Sequence, residues 1–242
     1  MKNTIKIADH GNTKIVAHRG LSGLERENTC SAFVAAANRS YFGIETDVRR
    51  TLDGYYVLQH DGTTERNCVD SLEPEKSTFH TLRSLRYKDR DGSFDRGDLM
   101  MPTLAEYVKI CRDYGKVGVL ELKGLFTEEM AAGVVDIIRG LDYLDGIIFI
   151  AFNWDSLLNL RRVYPEAVCQ YLTHKIDPMT LIPQLVENHF GIDANFNDLT
   201  AENVRALKEN GIVVNCWTVD TAEDAERLIG YGVDQITSNI VE

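Results

Sequence analysis

The chain has 242 residues, of which 44% are hydrophobic and 26% are charged, as in a globular protein with a full apolar core. Its 26 Lys and Arg residues against 37 Asp and Glu residues give a formal net charge of −11, which argues against a nucleic-acid partner. No apolar run approaches the ~18 residues of a membrane-spanning helix, so we expect no membrane insertion.

The amino-terminal residues lack the apolar segment of a secretory signal. Five cysteines occur without a C-x-x-C pair, which argues against a disulfide framework and against a thiolate zinc site. These features predict a cytoplasmic enzyme with mostly buried, reduced thiols. The oligomeric state is left open by the sequence.

Short β-branched runs alternate with helical patterns along the chain, which is typical of repeated βα units around a parallel sheet. Eight strands and seven helices in 242 residues predict one α/β domain, a single (β/α)₈ TIM barrel over residues 1–242. The absence of a glycine-rich first turn disfavours a dinucleotide-binding open sheet. The predicted strands are 14–18, 42–48, 117–123, 147–152, 167–172, 190–194, 212–219 and 233–237. The predicted helices are 29–38, 104–113, 128–139, 156–163, 181–188, 201–210 and 222–230.

A polar segment over residues 61–101 interrupts this alternation and predicts a small insertion, since long excursions from a compact domain are usually functional. Just before it, Asp53-Gly54 separates two strand-like runs, which is the strongest short signal for a β-hairpin. The second arm, residues 55–59, would fold back beside the second barrel strand. The hairpin would therefore deliver His60 to that strand.

Polar residues that close predicted strands are the first candidates for chemistry, because barrel active sites lie at the carboxyl ends of the strands. Glu45 and Asp47 are two residues apart on one strand, so their side chains point to the same face. Glu121 and Lys123 repeat that spacing on the next predicted barrel strand. His18 closes the first strand.

Three carboxylates in an enclosed space repel one another and need a cation or protons between them. Glu45, Asp47 and Glu121 offer only oxygen ligands, which suit one divalent cation, Mg²⁺ or Ca²⁺, better than zinc. The alternative is that these strand carboxylates form structural salt bridges with neighbouring cationic side chains. Those cations are Arg19, Arg49 and Lys123.

His18 and His60 are the candidate general acid and general base, because an imidazole titrates near neutral pH without perturbation. Arg19 and Lys123 beside them would stabilise spread negative charge. Cations and a metal facing two imidazoles indicate phosphoryl transfer. The sequence does not distinguish which histidine is the acid.

Surface positions are expected for the remaining histidines, although His174 follows a predicted strand and could reach the barrel mouth. Trp217 ends the seventh predicted strand and fits either a core position or a substrate platform. The sequence shows no aromatic cage for a cationic head group such as choline. The remaining histidines are His10, His80, His174 and His189.

Eight stretches that follow one another along almost the whole chain carry a family resemblance. They are AHRG (17–20), ENT (27–29), GIETDV (43–48), TLDGYYVLQHD (51–61), MPTLAE (101–106), LELKG (120–124), WTVD (217–220) and GVDQITSN (232–239). Together they resemble the glycerophosphodiester phosphodiesterase family. Three positions depart from the family pattern: Arg26 stands where Pro is usual, Asp220 where Asn is usual, and Ser238 where Asp is usual. None replaces a predicted metal or acid/base residue, so we expect them to affect substrate preference.

The resemblance implies a TIM barrel that binds a divalent cation at Glu45, Asp47 and Glu121. It implies that His18 and His60 are the acid/base pair. Arg19 and Lys123 would then hold phosphate oxygens, and we add Trp217 as a candidate substrate contact.

By the same resemblance, the partner is a small-molecule glycerophosphodiester, hydrolysed to an alcohol and sn-glycerol 3-phosphate. The glycerol 2-hydroxyl would attack first, and water would open the resulting cyclic phosphate. Two alternatives stay open at this point: a related lyase of the phospholipase D-like type that stops at the cyclic phosphate, and a catalytically silent barrel that binds phosphodiesters.

Overall fold

A computed structural model describes residues 3–242 and shows a closed ring of eight parallel strands with helices between them. A ninth strand lies outside the ring. The strands are β1 (Lys14–Ala17), β2 (Gly43–Arg50), β3 (Tyr56–Leu58), β4 (Val117–Leu122), β5 (Ile147–Ala151), β6 (Val168–Thr173), β7 (Gly191–Asn195), β8 (Val214–Trp217) and β9 (Gln235–Ser238). Neighbouring strands pair in the order β1-β9-β8-β7-β6-β5-β4-β2, and pairing of β1 with β2 closes the barrel. The predicted (β/α)₈ barrel is therefore confirmed.

Eight helices cover the barrel or belong to the segment that follows β3. They are α1 (Cys30–Ala37), α2 (Phe79–Arg83), α3 (Leu104–Asp113), α4 (Glu128–Gly140), α5 (Trp154–Val163), α6 (Pro178–Asn188), α7 (Ala201–Glu209) and α8 (Ala222–Tyr231). All but α2 correspond to predicted helices. Within residues 3–242, no helix has the length and apolar character needed to cross a bilayer.

Side-chain caps set the first residue of most helices. The Thr103 side chain accepts from the Glu106 backbone N–H, while the Glu106 side chain accepts from the Thr103 backbone N–H, and this capping box begins α3. Helix α5 begins two residues earlier than predicted because Asn153 caps it, and α6 begins three residues earlier because Asp177 caps it. Pro178 then occupies the first turn of α6, where no backbone donor is needed.

The predicted hairpin is present, and it explains how His60 reaches the barrel. The first two residues of β2 pair with β1, whereas Val48, Arg49 and Arg50 pair antiparallel with β3. The Gln59 backbone N–H then donates to the Asp47 carbonyl at 3.0 Å, which extends this ladder toward His60. Strand β3 thus continues along the edge of β2 that the short β1 leaves free.

The segment between β3 and α3 contains one short 3₁₀ turn (Pro74–Lys76) and helix α2. It has its own cluster of buried apolar side chains, separate from the main core. Those side chains are Val57, Cys68, Leu82, Leu85, Tyr87, Leu99 and Met101. The segment is therefore packed against itself and against β3.

Alternation along the strands divides apolar from polar side chains. On β2, Ile44 and Val48 point outward into the core between barrel and helices, so Glu45 and Asp47 point inward. Below the inward carboxylates, the barrel interior holds an apolar layer of Val16, Val119, Ile150 and Leu172. This filling closes the barrel interior below the cavity at the carboxyl ends of the strands.

Candidate active site

A cavity of about 440 Å³ opens at the carboxyl ends of the barrel strands. Apart from Asp47, every site residue predicted from the sequence lines it: His18, Arg19, Glu45, His60, Glu121, Lys123 and Trp217. Asp47 is fully buried and contacts two of the lining side chains, Arg19 and Lys123. The fold therefore brings the whole predicted set to one place.

The three predicted metal ligands form one compact acidic group. Asp47 on β2 and Glu121 on β4 are direct partners in the parallel ladder, and Glu45 lies two residues before Asp47. One carboxylate oxygen from each residue lies within 4.8 Å of the other two. All three side chains are buried, with exposed fractions of 0–7%. Their convergence follows from the i, i+2 spacing and the strand register.

Burial and mutual repulsion act on the protonation of this group. Burial, with the charge of Asp47, raises the pKa of Glu121 from 4.5 to about 8. Burial and the same neighbouring charge raise the pKa of Glu45 well above its usual range. Burial also opposes ionisation of Asp47, but Arg19, Lys123 and His60 together hold the pKa of Asp47 below its usual range. Without a further cation, two of the three groups therefore favour protons.

Two cationic side chains flank the acidic group. Lys123 Nζ lies 2.9 Å from Glu121 Oε1 and 3.5 Å from Asp47 Oδ1. Arg19 Nε lies 3.6 Å from Asp47 Oδ2, while its Nη1 donates to Glu27 Oε1 at 3.0 Å. Arg49 is not a partner of these carboxylates: it binds the carbonyls of Gln59 and His60 and pairs with Glu75.

The acidic group fits a hard divalent cation. Asp47 Oδ1 is buried and has no hydrogen-bond partner among residues 3–242, and such an orphan acceptor is costly. The donor set contains only carboxylate oxygens, which Mg²⁺ and Ca²⁺ prefer. Salt bridges from Arg19 and Lys123 compensate only part of the negative charge, since the pKa values of Glu45 and Glu121 stay raised.

The turn after β1 contacts the acidic group through a backbone hydrogen bond. Arg19 and Gly20 both have positive φ, and the Arg19 backbone N–H donates to Glu45 Oε2 at 2.8 Å. A Cβ atom on Gly20 would lie 2.7 Å from the backbone of Ala32, so only glycine fits this turn. Asn28 donates from Nδ2 to Asp47 Oδ2 at 2.7 Å, while Thr29 is the cap of α1. Asn28 is thus a site residue rather than a cap.

His18 is oriented by hydrogen-bonded side chains that follow other strands. Its Nδ1 lies 2.8 Å from Asn239 Oδ1, and the Asn239 amide nitrogen donates to Asp220 Oδ2 at 2.6 Å. A carboxylate only accepts, so Asp220 fixes the amide orientation and Asn239 Oδ1 must face the imidazole. His18 therefore carries its proton on Nδ1 and presents Nε2 to the cavity, 3.9 Å from Glu45 Oε2.

Two of the departures from the family pattern lie behind this histidine. Asp220 Oδ1 accepts from Ser238 Oγ at 3.1 Å and from the Asn239 backbone N–H at 2.8 Å. Asp220 and Ser238 are therefore neighbours that together orient Asn239. Neither residue lines the 440 Å³ cavity, so they act on His18 through Asn239 rather than on the substrate directly. Burial, followed by the Arg19 charge, lowers the pKa of His18 to about 4.

His60 is oriented by a charged partner instead. Its Nδ1 lies 2.7 Å from Asp61 Oδ1, and Asp61 Oδ2 accepts from Arg66 Nε at 2.6 Å. Arg66 also pairs with Glu27, which binds Arg19. Burial lowers the pKa of His60, although Asp47 and Asp61 oppose that shift. Nε2 of His60 is again the nitrogen left for the cavity.

The opposite wall of the cavity is aromatic, which the sequence did not show. Phe152 and His174 are stacked with centroids 4.9 Å apart, and both meet Trp217 edge to face at 5.7 and 5.2 Å. His174 is exposed at the rim of this cavity, so it keeps a surface position and also reaches the barrel mouth, as its place after β6 allowed. Trp217 Nε1 donates to the Asp193 carbonyl at 3.2 Å, so its ring rather than its N–H faces the cavity.

The sequence analysis missed the residues that orient other site residues and those on the cavity wall opposite the acidic group. A signal for Asp61 was its place in the His-Asp pair after the hairpin. Glu27, Asp220 and Asn239 lie in stretches that carry the family resemblance, but no pattern gave them or the remaining residues a role at the site. The missed residues are Glu27, Asp61, Arg66, Phe152, Asp193, Asp220 and Asn239.

Comparison with known proteins is consistent with this geometry. Residues 18–242 match the model of the glycerophosphoryl diester phosphodiesterase family. A glycerophosphodiester phosphodiesterase of Caldanaerobacter subterraneus subsp. tengcongensis is 27% identical over 231 residues, which are 94% of this chain and 94% of that protein. A probable glycerophosphodiester phosphodiesterase 1 of Mycobacterium tuberculosis is 32% identical and covers 92% of this chain and 88% of its own length.

A solved structure shares the fold. It is a phosphodiesterase of Oleispira antarctica in complex with its product sn-glycerol-3-phosphate. The two chains superpose with a TM-score of 0.83 over 94% of this chain and 93% of the other, at 23% identity. The barrel architecture is thus one that relatives of this chain also adopt.

Proposed function

The chain belongs to the glycerophosphoryl diester phosphodiesterase family, and we propose that it hydrolyses glycerophosphodiesters to an alcohol and sn-glycerol 3-phosphate with the side chains described above. The observation that carries this assignment is the meeting of three carboxylates, two imidazoles and two cations in one cavity. Each of these groups would have a role in phosphodiester cleavage: the carboxylates in cation binding, the cationic side chains in phosphate binding and the imidazoles in proton transfer. The likeness to an enzyme solved with sn-glycerol-3-phosphate supports the choice of product.

Glu45, Asp47 and Glu121 would hold one divalent cation, Mg²⁺ or Ca²⁺. When bound, such a cation neutralises the diester and stabilises the charge of the transition state. Arg19 and Lys123 flank the same carboxylates and would bind the remaining phosphate oxygens. The phosphate would thereby lie between the acidic group and the two imidazoles.

The two histidines have partners of different charge, and this difference supports different roles for them. The neutral amide of Asn239 leaves His18 uncharged with a free electron pair on Nε2, which suits a proton acceptor. The Asp61 carboxylate beside Nδ1 of His60 opposes the lowering of the His60 pKa by burial, and this favours the protonated ring that a proton donor needs. His18 would take the proton of the attacking glycerol 2-hydroxyl, and His60 would give a proton to the departing alcohol oxygen.

This first step leaves a cyclic glycerophosphate and inverts the protonation of both histidines. His60, now neutral, accepts a proton from water, which attacks phosphorus. His18, now protonated, returns its proton to the 2-oxygen as the ring opens to sn-glycerol 3-phosphate. Both imidazoles are then in their starting states.

Phosphorus NMR of glycerophosphocholine turnover in the presence of Mg²⁺ or Ca²⁺ tests this proposal. We expect sn-glycerol 3-phosphate as the final product, with the cyclic phosphate at most transient. A cyclic phosphate that accumulates without hydrolysis would identify a lyase instead. Absence of any turnover over a panel of glycerophosphodiesters, with either cation, would indicate a silent phosphodiester-binding barrel.

A further inference from the structure

Asp193 lies at the closed end of the cavity, and the steps proposed above do not use it. It is the central residue of β7, between Ile192 and Ala194, whose side chains belong to the outer core. Alternation along the strand therefore turns Asp193 inward, and it lines the cavity opposite the acidic group. Its exposed fraction is only 1%.

The side chain of Asp193 has no partner in the part of the chain that the structure describes. Neither carboxyl oxygen takes part in a hydrogen bond or an ion pair within residues 3–242, and Oδ1 is buried without a partner. Its strand neighbours in register are Leu172 and Asn215, and Asn215 bonds to Gln170 and Thr237 instead. An unsatisfied buried acid is costly, so its presence in a ligand cavity points to the ligand as its partner.

The chemistry of this carboxyl group indicates which part of the ligand it meets. Asp193 is not one of the three clustered metal ligands, and the phosphate-binding cations Arg19 and Lys123 pair with other groups. Burial, with the charge of Glu121, raises the pKa of Asp193 well above its usual range. A neutral carboxyl group has one donor and a free acceptor, which matches a hydroxyl group.

The walls beside Asp193 complete an amphipathic subsite. The indole N–H of Trp217 donates to the Asp193 backbone carbonyl, so the ring presents an apolar face to the cavity beside Asp193. Ile150 and Leu172 also line the cavity and are almost fully buried. A polyol with hydroxyls on one side and C–H groups on the other fits such a pair of surfaces.

The two halves of the substrate differ in what they require. The alcohol half varies in size among glycerophosphodiesters and needs the open mouth of the cavity, whereas the glycerol half is small and constant. Of the two free glycerol hydroxyls, the 2-hydroxyl is the nucleophile and must lie near His18. The remaining hydroxyl is the primary one at sn-1.

We propose that Asp193 binds the sn-1 hydroxyl of the glycerol half and is a specificity-determining residue for this substrate class. This inference rests on the proposed hydrolysis of glycerophosphodiesters. It assigns the closed end of the cavity, beside Trp217, Ile150 and Leu172, to glycerol and the open mouth to the alcohol. Asp193 takes no part in proton transfer.

The test compares glycerophosphocholine with its analogue that lacks only the sn-1 hydroxyl, the propane-1,2-diol phosphodiester of choline, which keeps the 2-hydroxyl. For the wild-type enzyme we expect kcat/KM to fall at least about 30-fold on loss of the hydroxyl, because the buried acid is then unpaired. Asp193→Leu should discriminate less than about threefold. Asp193→Asn keeps a donor and an acceptor and should retain most of the discrimination.

Equal discrimination by wild type and Asp193→Leu would overturn the proposal, as would wild-type discrimination below threefold. A third contrary result is selective loss of choline and ethanolamine diesters in Asp193→Asn, with glycerophosphoglycerol unaffected. That pattern would make Asp193 an anionic site for the head group.

A binding measurement separates failure of this inference from failure of the proposed function. By calorimetry, sn-glycerol 3-phosphate should bind wild type at least about tenfold more tightly than propane-1,2-diol 1-phosphate, and Asp193→Leu should bind the two alike. This preference needs no turnover. Replacing an unpartnered buried acid by Leu should also raise the melting temperature, which confirms that the variant is folded. Wild-type binding that ignores the sn-1 hydroxyl contradicts the proposal even when hydrolysis is confirmed.

Discussion

Removal of the divalent cation should make the stability of this protein fall as pH rises above 7, and the raised pKa of Glu121 sets the size of the effect. In the folded protein this pKa is about 8, against 4.5 for an unperturbed glutamate. A carboxyl group with a raised pKa binds more protons when folded, so its stabilisation is complete below about pH 4.5 and is lost as pH rises through about 8. Glu45 acts in the same direction.

Between pH 7 and pH 8.5 the lost stability from Glu121 alone amounts to about 1 kcal/mol, from a limiting slope of about 1.4 kcal/mol per pH unit. For a chain of this size that corresponds to a fall in melting temperature of about 2–4 °C. His18 does not disturb this window. Its pKa is lowered from 6.5 to about 4, so its effect on stability falls below about pH 6.5.

The assay is thermal unfolding of chelator-treated protein across pH 7–8.5, with and without Mg²⁺ or Ca²⁺. A cation at about a hundred times its Kd should add about 2.7 kcal/mol and abolish the downward slope, since it replaces the protons. Glu121→Gln should make the metal-free slope smaller, with Glu45 left to contribute the rest. Glu187→Gln, on the exposed face of α6, is the matched control and should keep it. A metal-free protein whose stability is flat or rises over this range would refute the electrostatic reasoning.

Two further predictions concern the histidines and the turn that holds the acidic group. His18→Ala and His60→Ala should each lower kcat by about 10²–10⁴-fold in a folded, cation-binding protein, whereas His80→Ala, at an exposed position of α2, should stay within twofold of wild type. Activity within a few-fold of wild type in either site variant would leave that histidine a structural role only. Gly20→Ala should cost about 2–4 kcal/mol in denaturant unfolding, because its Cβ meets the Ala32 backbone at 2.7 Å. Gly92→Ala shares the positive φ but has open space and should cost about 1 kcal/mol; equal costs would show that the close contact does not matter.

Most of the barrel was predictable because its strands and helices follow local rules. Hydrophobic runs marked the strands, and the Asp53-Gly54 turn marked the hairpin that carries His60. That Glu45 and Asp47 share one face of β2 followed from their spacing alone. Helix α2 was missed because it has only five residues, too few for a periodic pattern.

The aromatic wall of the cavity and the side chains that orient the two histidines could not be predicted in the same way. Their positions depend on which strand ends become neighbours in the closed barrel. His174 follows β6 in a polar loop, and only barrel closure brings it against Phe152 and Trp217. The contact of Asp220 with Asn239 joins the ends of β8 and β9. Such pairings are long-range consequences of the barrel register, and no local sequence pattern records them.

The central claim is that a divalent cation held by Glu45, Asp47 and Glu121 is required for cleavage of glycerophosphodiesters. The most direct test measures sn-glycerol 3-phosphate release from glycerophosphocholine by protein stripped of metal, verified by elemental analysis, and then titrated with Mg²⁺ or Ca²⁺. We predict no turnover in the stripped protein, recovery with a stoichiometry of one cation per chain, and no recovery in Glu121→Gln at the same concentrations. Full activity of the stripped protein in excess chelator would contradict the assignment.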